Sequence, residues 1–193
     1  RTTVANPEGG IGTFSPRYMN ISVAYAKTFS NSIYGGFNIK MISEQIADLS
    51  ANGIALDAGI QYVTGSQDNL KFGIALKNVG PRMSFDGDGL SFRNYFEGKE
   101  MTNQQRVSEF ELPALLNIGM SYDININRHR ITGAGTFTSN SFQKDQYRIG
   151  GEYSYRDMLM LRLGYTYEEG IRTPSTRTTA LRGPSGGFTI ELP

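Results

Sequence analysis

Hydrophobic and polar residues alternate one by one along this chain, segment after segment. In Gly53–Val63, Ile54, Leu56, Ala58, Ile60 and Tyr62 fall on one side, and Ala55, Asp57, Gly59 and Gln61 on the other. In Leu70–Lys77 the split is Leu70, Phe72, Ile74 and Leu76 against Lys71, Gly73, Ala75 and Lys77. In Leu159–Glu168 it is Leu159, Leu161, Leu163, Tyr165 and Tyr167 against Met160, Arg162, Gly164, Thr166 and Glu168. Successive side chains of a β-strand point to opposite faces, so each segment is predicted to be a strand with one apolar and one polar face. The polar face is short on bulk, being mostly Gly, Ala, Ser, Thr and single charges. Such a combination suits a barrel with lipid outside and a polar lumen inside.

The pattern predicts about nine strands, near residues 18–29, 33–43, 53–65, 69–80, 113–123, 128–138, 146–156, 158–168 and 185–193, each close to the ~9–11 residues of a tilted membrane strand. Short connections are expected at Ser30–Ser32, Ser66–Asp68, Ile124–Asn127 and Arg156–Asp157. Longer ones are expected at Glu44–Asn52, Pro81–Leu112, Ser139–Asp145 and Glu169–Pro184. Tight turns at one end and loops at the other are the habit of outer-membrane barrels. Arg1–Pro16 would be the tail of an external loop. Single-chain bacterial barrels usually have even strand counts. The chain opens on Arg1 and ends inside an alternating run (Phe188, Ile190, Leu192). The expectation is therefore an all-β fold: part of one transmembrane, antiparallel, up-and-down β-barrel domain spanning residues 1–193, with strands missing.

Composition narrows the picture. The chain has 193 residues, 19 Lys+Arg against 18 Asp+Glu, and a formal net charge of +1. That balance makes no electrostatic case for nucleic acid or for an anionic membrane surface. Cys is 0, which excludes a disulfide framework and a thiolate metal site. No run of roughly 18 apolar residues offers a transmembrane helix. The mean hydropathy of -0.36 would suggest a soluble protein, but barrels escape hydropathy because half of each strand is polar. Tyr153, Tyr155, Tyr165 and Tyr167 fall on the apolar face near strand ends, as either a membrane-interface girdle or cross-strand packing in a sandwich core would have them; the alternation of short and long connections favours the girdle.

Candidate chemistry is sparse. The one histidine, His129, sits beside a short turn without a partnered nucleophile, and histidine metal clusters need more than one. Asp86–Gly89 reads DGDG, but the following Leu90, Ser91 and Phe92 do not supply the remaining ligands of a calcium loop. A Gly/Asp turn is expected there. Gly183–Gly187 reads GPSGG; it lacks the Lys-Ser/Thr of a phosphate loop and is expected to lead into a strand. No enzyme activity, cofactor or metal is expected. Asp57, Lys71, Lys77, Arg148, Glu152, Arg162 and Glu168 all fall on polar faces. Both signs are present, so mutual pairing in the lumen is expected ahead of ligand binding. The long connection Pro81–Leu112 carries Met83, Phe85, Leu90, Phe92, Tyr95, Phe96 and Met101. It is too aromatic for plain disorder. It is expected either to fold over the barrel mouth or to dock a partner through Phe92, Tyr95, Phe96 and Met101, because aromatics and Met are enriched at interface cores.

Several stretches resemble the PorV/PorQ family of outer-membrane proteins, and the PorV members of type IX secretion most of all. They are Val23–Tyr62, Leu70–Asp88, Leu112–Asp123, Arg148–Tyr165 and Gly183–Pro193, in that order. The distinctive phrases are IADLSANG (Ile46–Gly53), KNVGPRMSFDGD (Lys77–Asp88) and EYSYRDMLMLRLGY (Glu152–Tyr165). The resemblance implies a FadL-like barrel of fourteen strands, of which this chain lacks the front and the closing strand. It implies a non-enzymatic place in the outer membrane of a Gram-negative bacterium, with loops facing outside. The implied partners are a SprA-like translocon barrel, secreted cargo proteins held through their C-terminal domain, a sortase-like surface attachment complex, and outer-membrane lipid. The alternative is a FadL-like transporter of hydrophobic small molecules, which the polar, charged lumen faces disfavour.

Overall fold

A computed structural model describes residues 13, 15–96, 98–168 and 183–191, with backbone only at Phe96. The fold is all-β. Its strands are β1 (Arg17–Ser30), β2 (Ile33–Ile46), β3 (Leu49–Thr64), β4 (Leu70–Val79), β5 (Ser91–Phe96), β6 (Lys99–Gln104), β7 (Leu115–Ile126), β8 (His129–Asn140), β9 (Gln146–Tyr155), β10 (Leu159–Glu168) and β11 (Gly183–Ile190). One sheet holds nine of them in the order β1-β2-β3-β4-β7-β8-β9-β10-β11. The hairpin β5–β6 is a separate two-stranded sheet. Apart from that interposed hairpin, each strand pairs with its neighbour in sequence. Antiparallel strands can be joined by very short connections, and the turn residues here favour them. Between β9 and β10, Arg156 (φ 54) and Asp157 (φ 56) both take the left-handed conformation, and Met158 N donates to Tyr155 O at 3.0 Å. That is a primed turn, whose twist matches the flanking strands.

Two compact units are distinguishable, each with its own logic. The first comprises Arg1–Val23, Ile39–Leu56 and Gly80–Leu112. It holds a small core of Ile42, Ala51, Ala55 and Met83, with Phe85, Phe110 and Leu112 packed against it. Paired backbone hydrogen bonds clamp the chain there: Met83 and Phe110 exchange two at 2.8 Å, Ser50 and Asp86 two at 2.9 Å. Met83 is only 1% exposed. It fits because Gly53 has no side chain: a Cβ at Gly53 would come within 2.6 Å of Met83 Cγ and Sδ. The small residues of β3 thus make room for a long apolar one from the following connection.

The second unit comprises Ala24–Asn38, Asp57–Val79 and Pro113–Pro193. Here the apolar faces are the exposed ones. Leu163 is 76% exposed, Phe188 73% and Ile149 66%. Register keeps this face continuous: Ile74 lies opposite Ile118, Ile118 opposite Phe137, and Leu161 between Tyr153 and Phe188. The opposite face carries Lys71, Asp123, Thr132, Glu152 and Arg162 among glycines, as in the facing pairs Gly73↔Gly119 and Gly150↔Gly164.

Several sequence expectations need correction. Glu44–Asn52 is not a long connection. β2 runs on to Ile46 and β3 begins at Leu49, leaving a turn of Ala47–Asp48 with Ala47 at φ 52. Ser43, Glu44 and Gln45 interrupt the alternation, yet β2 and β3 pair in one sheet, and strand pairing outweighs the ~1–2 kcal/mol of a left-handed alanine. Sorting the loops by length therefore fails at this turn. The connection after β4 is not strand-free, for it contains β5, β6 and the short 3₁₀ turn Asp88–Leu90. Gly183 and Pro184 already belong to β11, facing Thr166 and Tyr165. Arg1–Gly12, most of Glu169–Pro184, Leu192 and Pro193 lie outside the described residues.

Met83→Ala should open a cavity in the first unit and cost about 2–5 kcal/mol locally. Hydrogen exchange over residues 81–112 of the full-length protein should accelerate accordingly. Unchanged protection would show that Met83 does not hold this segment.

Candidate functional site

Two features of the described residues offer chemistry or contact: the polar face of the second unit, and the hairpin of the first.

On the polar face, side chains link every adjacent pair of strands from β4 to β11. Lys71 Nζ on β4 lies 2.8 Å from Asp123 Oδ2 on β7. Thr132 on β8 donates to Asp123 Oδ1 at 2.6 Å. Arg130, on the same strand, reaches Glu152 of β9 at 3.3 Å and Asp157 at 3.1 Å. Arg162 of β10 donates through Nε to the other oxygen of Glu152 and through Nη1 to Thr189 of β11 at 2.7 Å. Thr138 adds a bond to Asn117 at 2.8 Å. Register puts some partners directly opposite each other, Asp123 and Thr132, Asn117 and Thr138, Arg162 and Glu152; Lys71–Asp123, Arg130–Glu152 and Arg162–Thr189 reach diagonally, two residues along from the facing position.

A separate knot surrounds Asp57. Its carboxylate accepts from Asn78 N at 2.8 Å and Asn38 Nδ2 at 3.3 Å. Asn78 has φ 59 and donates its side-chain amide to Pro113 O at 3.0 Å. Asp57 thereby fixes the sharp bend where β4 ends.

Of the predicted polar-face charges, the structure joins Glu152 directly to Arg162. Lys71 and Asp57 each find other partners, and Arg148 donates to Gln146 at 2.7 Å. Lys77 shares the face and is exposed. Glu168 is buried at the end of β10. Asp123 and Arg130, the central members of the ladder, were absent from the predicted set. Both were legible: Asp123 shares parity with Asn117 and Ser121, and Arg130 with Thr132 and Thr136. Every cation of the ladder is at least a third exposed at the side chain. The pairs are therefore screened, and their strength lies in sharing across strands.

The hairpin departs from expectation. Phe92, Tyr95 and Phe96 were expected outside any strand; all three lie in β5, because Gly98 (φ 75) turns the chain back on itself and β6 pairs with it. Nor do the expected anchors form one cluster. Phe92 lies opposite Asn103 and Met101 opposite Asn94, whereas Tyr95 lies opposite Glu100. Alternation puts Phe92 and Met101 on one face and Tyr95 on the other, beside the Arg93–Glu100 ion pair at 3.2 Å. Tyr95 is 72% exposed, and Phe92 and Met101 are exposed too. The side chain of Phe96 lies outside the described residues. At the hairpin's base, Asp86 Oδ1 accepts from Gly87 N and Gln104 Nε2, both at 2.8 Å. Nearby, Arg82 donates to Glu111 at 2.7 Å. That hydrogen bond, and then the carboxylate's charge, raise the Arg82 guanidinium above its ordinary pKa.

His129 is exposed; its Nδ1 lies 2.7 Å from Tyr153 Oη, and its ring stacks on Tyr153. Among the described residues no three His, Cys, Asp or Glu side chains gather as metal ligands.

In a double-mutant cycle, Glu152→Gln and Arg162→Gln should couple by about 1 kcal/mol, at the upper end for exposed pairs. Urea unfolding of the full-length protein reads the coupling. High salt should reduce it. Additive single effects would show that the pair is ornamental.

Comparison of the chain with protein-family models and with curated proteins returns no match.

Proposed function

We propose that this chain is part of an outer-membrane β-barrel serving as a non-enzymatic component of type IX protein secretion, similar to the PorV family. The reading has two supports of different kinds. The membrane part is carried by one observation: the apolar face of the second unit is exposed along strand after strand, while the ion pairs Lys71–Asp123, Arg130–Glu152 and Arg162–Glu152 lie on the opposite face. In water a contiguous apolar surface larger than a few hundred Å² is rare on a soluble monomer. In a bilayer it is the required arrangement.

Dimensions agree with a bilayer. On β7 the outward residues run from Leu116 to Ile126, which at ~3.3 Å per residue is ~33 Å along the strand. A tilt of ~35–45° reduces that to ~23–27 Å, close to the ~25 Å apolar band of outer-membrane barrels. Aromatic rings mark both ends. Phe137, Tyr147 and Tyr167 form one row, with centroids 5.1 and 6.4 Å apart. His129, Tyr153 and Tyr155 form the other, toward the Arg156–Asp157 turn. Tyrosine favours such interfaces because its ring is apolar and its hydroxyl is wet.

The secretion part rests on the sequence resemblance. On this reading the protein binds exported cargo beside a SprA-like translocon and passes it to a sortase-like attachment complex. The hairpin β5–β6 suits a partner contact. It presents apolar side chains on both faces and belongs to no larger sheet, and an isolated hairpin is marginal in water without something to pack on.

Arginine at Ile60 or Leu163 should cost roughly 2–4 kcal/mol of folding into liposomes, against far less at Gln61 on the polar face. Equal tolerance of both faces would remove the bilayer from the account.

Phe92→Ser with Met101→Ser should impair one hairpin face, and Tyr95→Ser the other. With normal amounts of inserted protein, the first pair should weaken co-purification with the translocon or cargo by roughly tenfold or more and reduce surface display of exported proteins. Normal secretion in these variants would make the hairpin a lid. Normal secretion in a full deletion, with failed uptake of a hydrophobic nutrient, would replace the secretion reading with transport.

A further inference from the structure

We infer that the adjoining turns Asn127–Arg128 and Arg156–Asp157 form a binding site for the headgroup phosphate of an anionic phospholipid. This rests on the membrane reading above and adds a specific lipid contact to it.

The site is assembled by backbone. Arg156 N donates to Arg128 O at 2.7 Å, which sets the β7–β8 turn beside the β9–β10 turn. Two arginines that are far apart in sequence thereby become neighbours, and both are exposed. Asn127 (φ 54), Arg156 (φ 54) and Asp157 (φ 56) are all left-handed, a conformation that non-glycine residues adopt only when the surrounding structure demands it. The turns are accordingly well determined in position.

The turn's own acid, Asp157, is occupied: its Oδ1 accepts from Ser154 Oγ at 3.1 Å and lies 3.1 Å from Arg130 Nη2. Arg130 belongs to the polar-face ladder, so Asp157 is drawn toward that face. The other acid near this turn is Glu191, whose N donates to Met158 O at 2.8 Å. Arg128 and Arg156 are left without an ion pair among the described residues. The backbone bond brings the two residues side by side, and the planar fork of each guanidinium matches a phosphate's oxygens.

The surroundings say which phosphate. Arg156 lies over the ring of Tyr155, 5.5 Å from its centroid. The His129 ring lies 5.1 Å from Tyr155 and 5.8 Å from Tyr153. Tyr153 and Tyr155 sit on the apolar face, continuous with Leu161, Ile131 and Ile124 through the strand register. A cationic pair at the rim of an aromatic band above an apolar wall meets a molecule with an anionic head and acyl tails. A free phosphate uses only the cations; a phospholipid uses all three.

The test uses the full-length protein in detergent, with phosphatidylglycerol binding followed by native mass spectrometry. Phosphatidylcholine and inorganic phosphate serve as parallel probes. The wild type should retain phosphatidylglycerol saturably and in preference to phosphatidylcholine. Arg128→Gln with Arg156→Gln should weaken retention by roughly tenfold or more, since charge-assisted bonds are lost. Arg128→Lys with Arg156→Lys should recover part of it, and Lys144→Gln should change nothing. Wild-type retention by the double glutamine variant, equal retention of phosphatidylcholine, or displacement of the lipid by millimolar phosphate would each overturn the site. Insertion into liposomes is measured alongside. If wild type and variants insert normally while lipid retention is indifferent to the arginines, only this site fails; if the wild type does not insert at all, the membrane reading fails with it.

Discussion

Everything in this protein depends on strand register. A one-residue slip in any β-pair exchanges the two faces of a strand completely. Here such a slip would carry Leu161 and Leu163 to the polar side and turn Arg162 into the apolar face. The ladder through β4–β7–β8–β9–β10–β11 has no such slip over its described length. Short turns keep it so. A primed turn such as Arg156–Asp157 fixes which residues face each other at the next pair and hence at every pair beyond it.

Register then determines the electrostatics. Charges on one face of a sheet cannot move away from each other, so each must meet either a partner or water. Asp123 meets Lys71 and Thr132, and Glu152 meets Arg130 and Arg162. Because a single carboxylate is shared between flanking strands, the pairs join into a line across the sheet. The small residues alongside them keep that line uncrowded: a Cβ at Gly164 would come within 3.0 Å of Ser185 Oγ, and one at Gly119 within 3.1 Å of Thr136 Oγ1. Side-chain bulk is spent on the opposite face.

The first unit reverses that economy. There the small residues of β3 admit Met83, and Phe85, Phe110 and Leu112 gather round it. Three of the seven aromatic and methionine residues of the connection after β4, Met83, Phe85 and Phe110, are thereby committed to holding it down. In β5 and β6, Phe92, Tyr95 and Met101 stay exposed on the two faces of a ribbon. Folding inward and reaching outward, which look like alternatives for one loop, are divided between its two parts.

Alternation alone determined the nine main strands, their faces and the polar positions of Asp57, Lys71, Glu152 and Arg162, because a period of two is a local property that each strand carries by itself. It also left Asp123 and Arg130 in plain view. Sequence did not determine how far strands extend when no glycine or proline stops them, so Ala47–Asp48 stayed hidden inside an expected loop. Nor did it reveal β5 and β6, whose six-residue runs are too short to show a period and which hold only because they pair. Which cation meets which anion, which loop residues are buried, and the meeting of Arg128 with Arg156 were decided by tertiary structure. Each depends on the register between segments distant in sequence, and register is a property of two strands together.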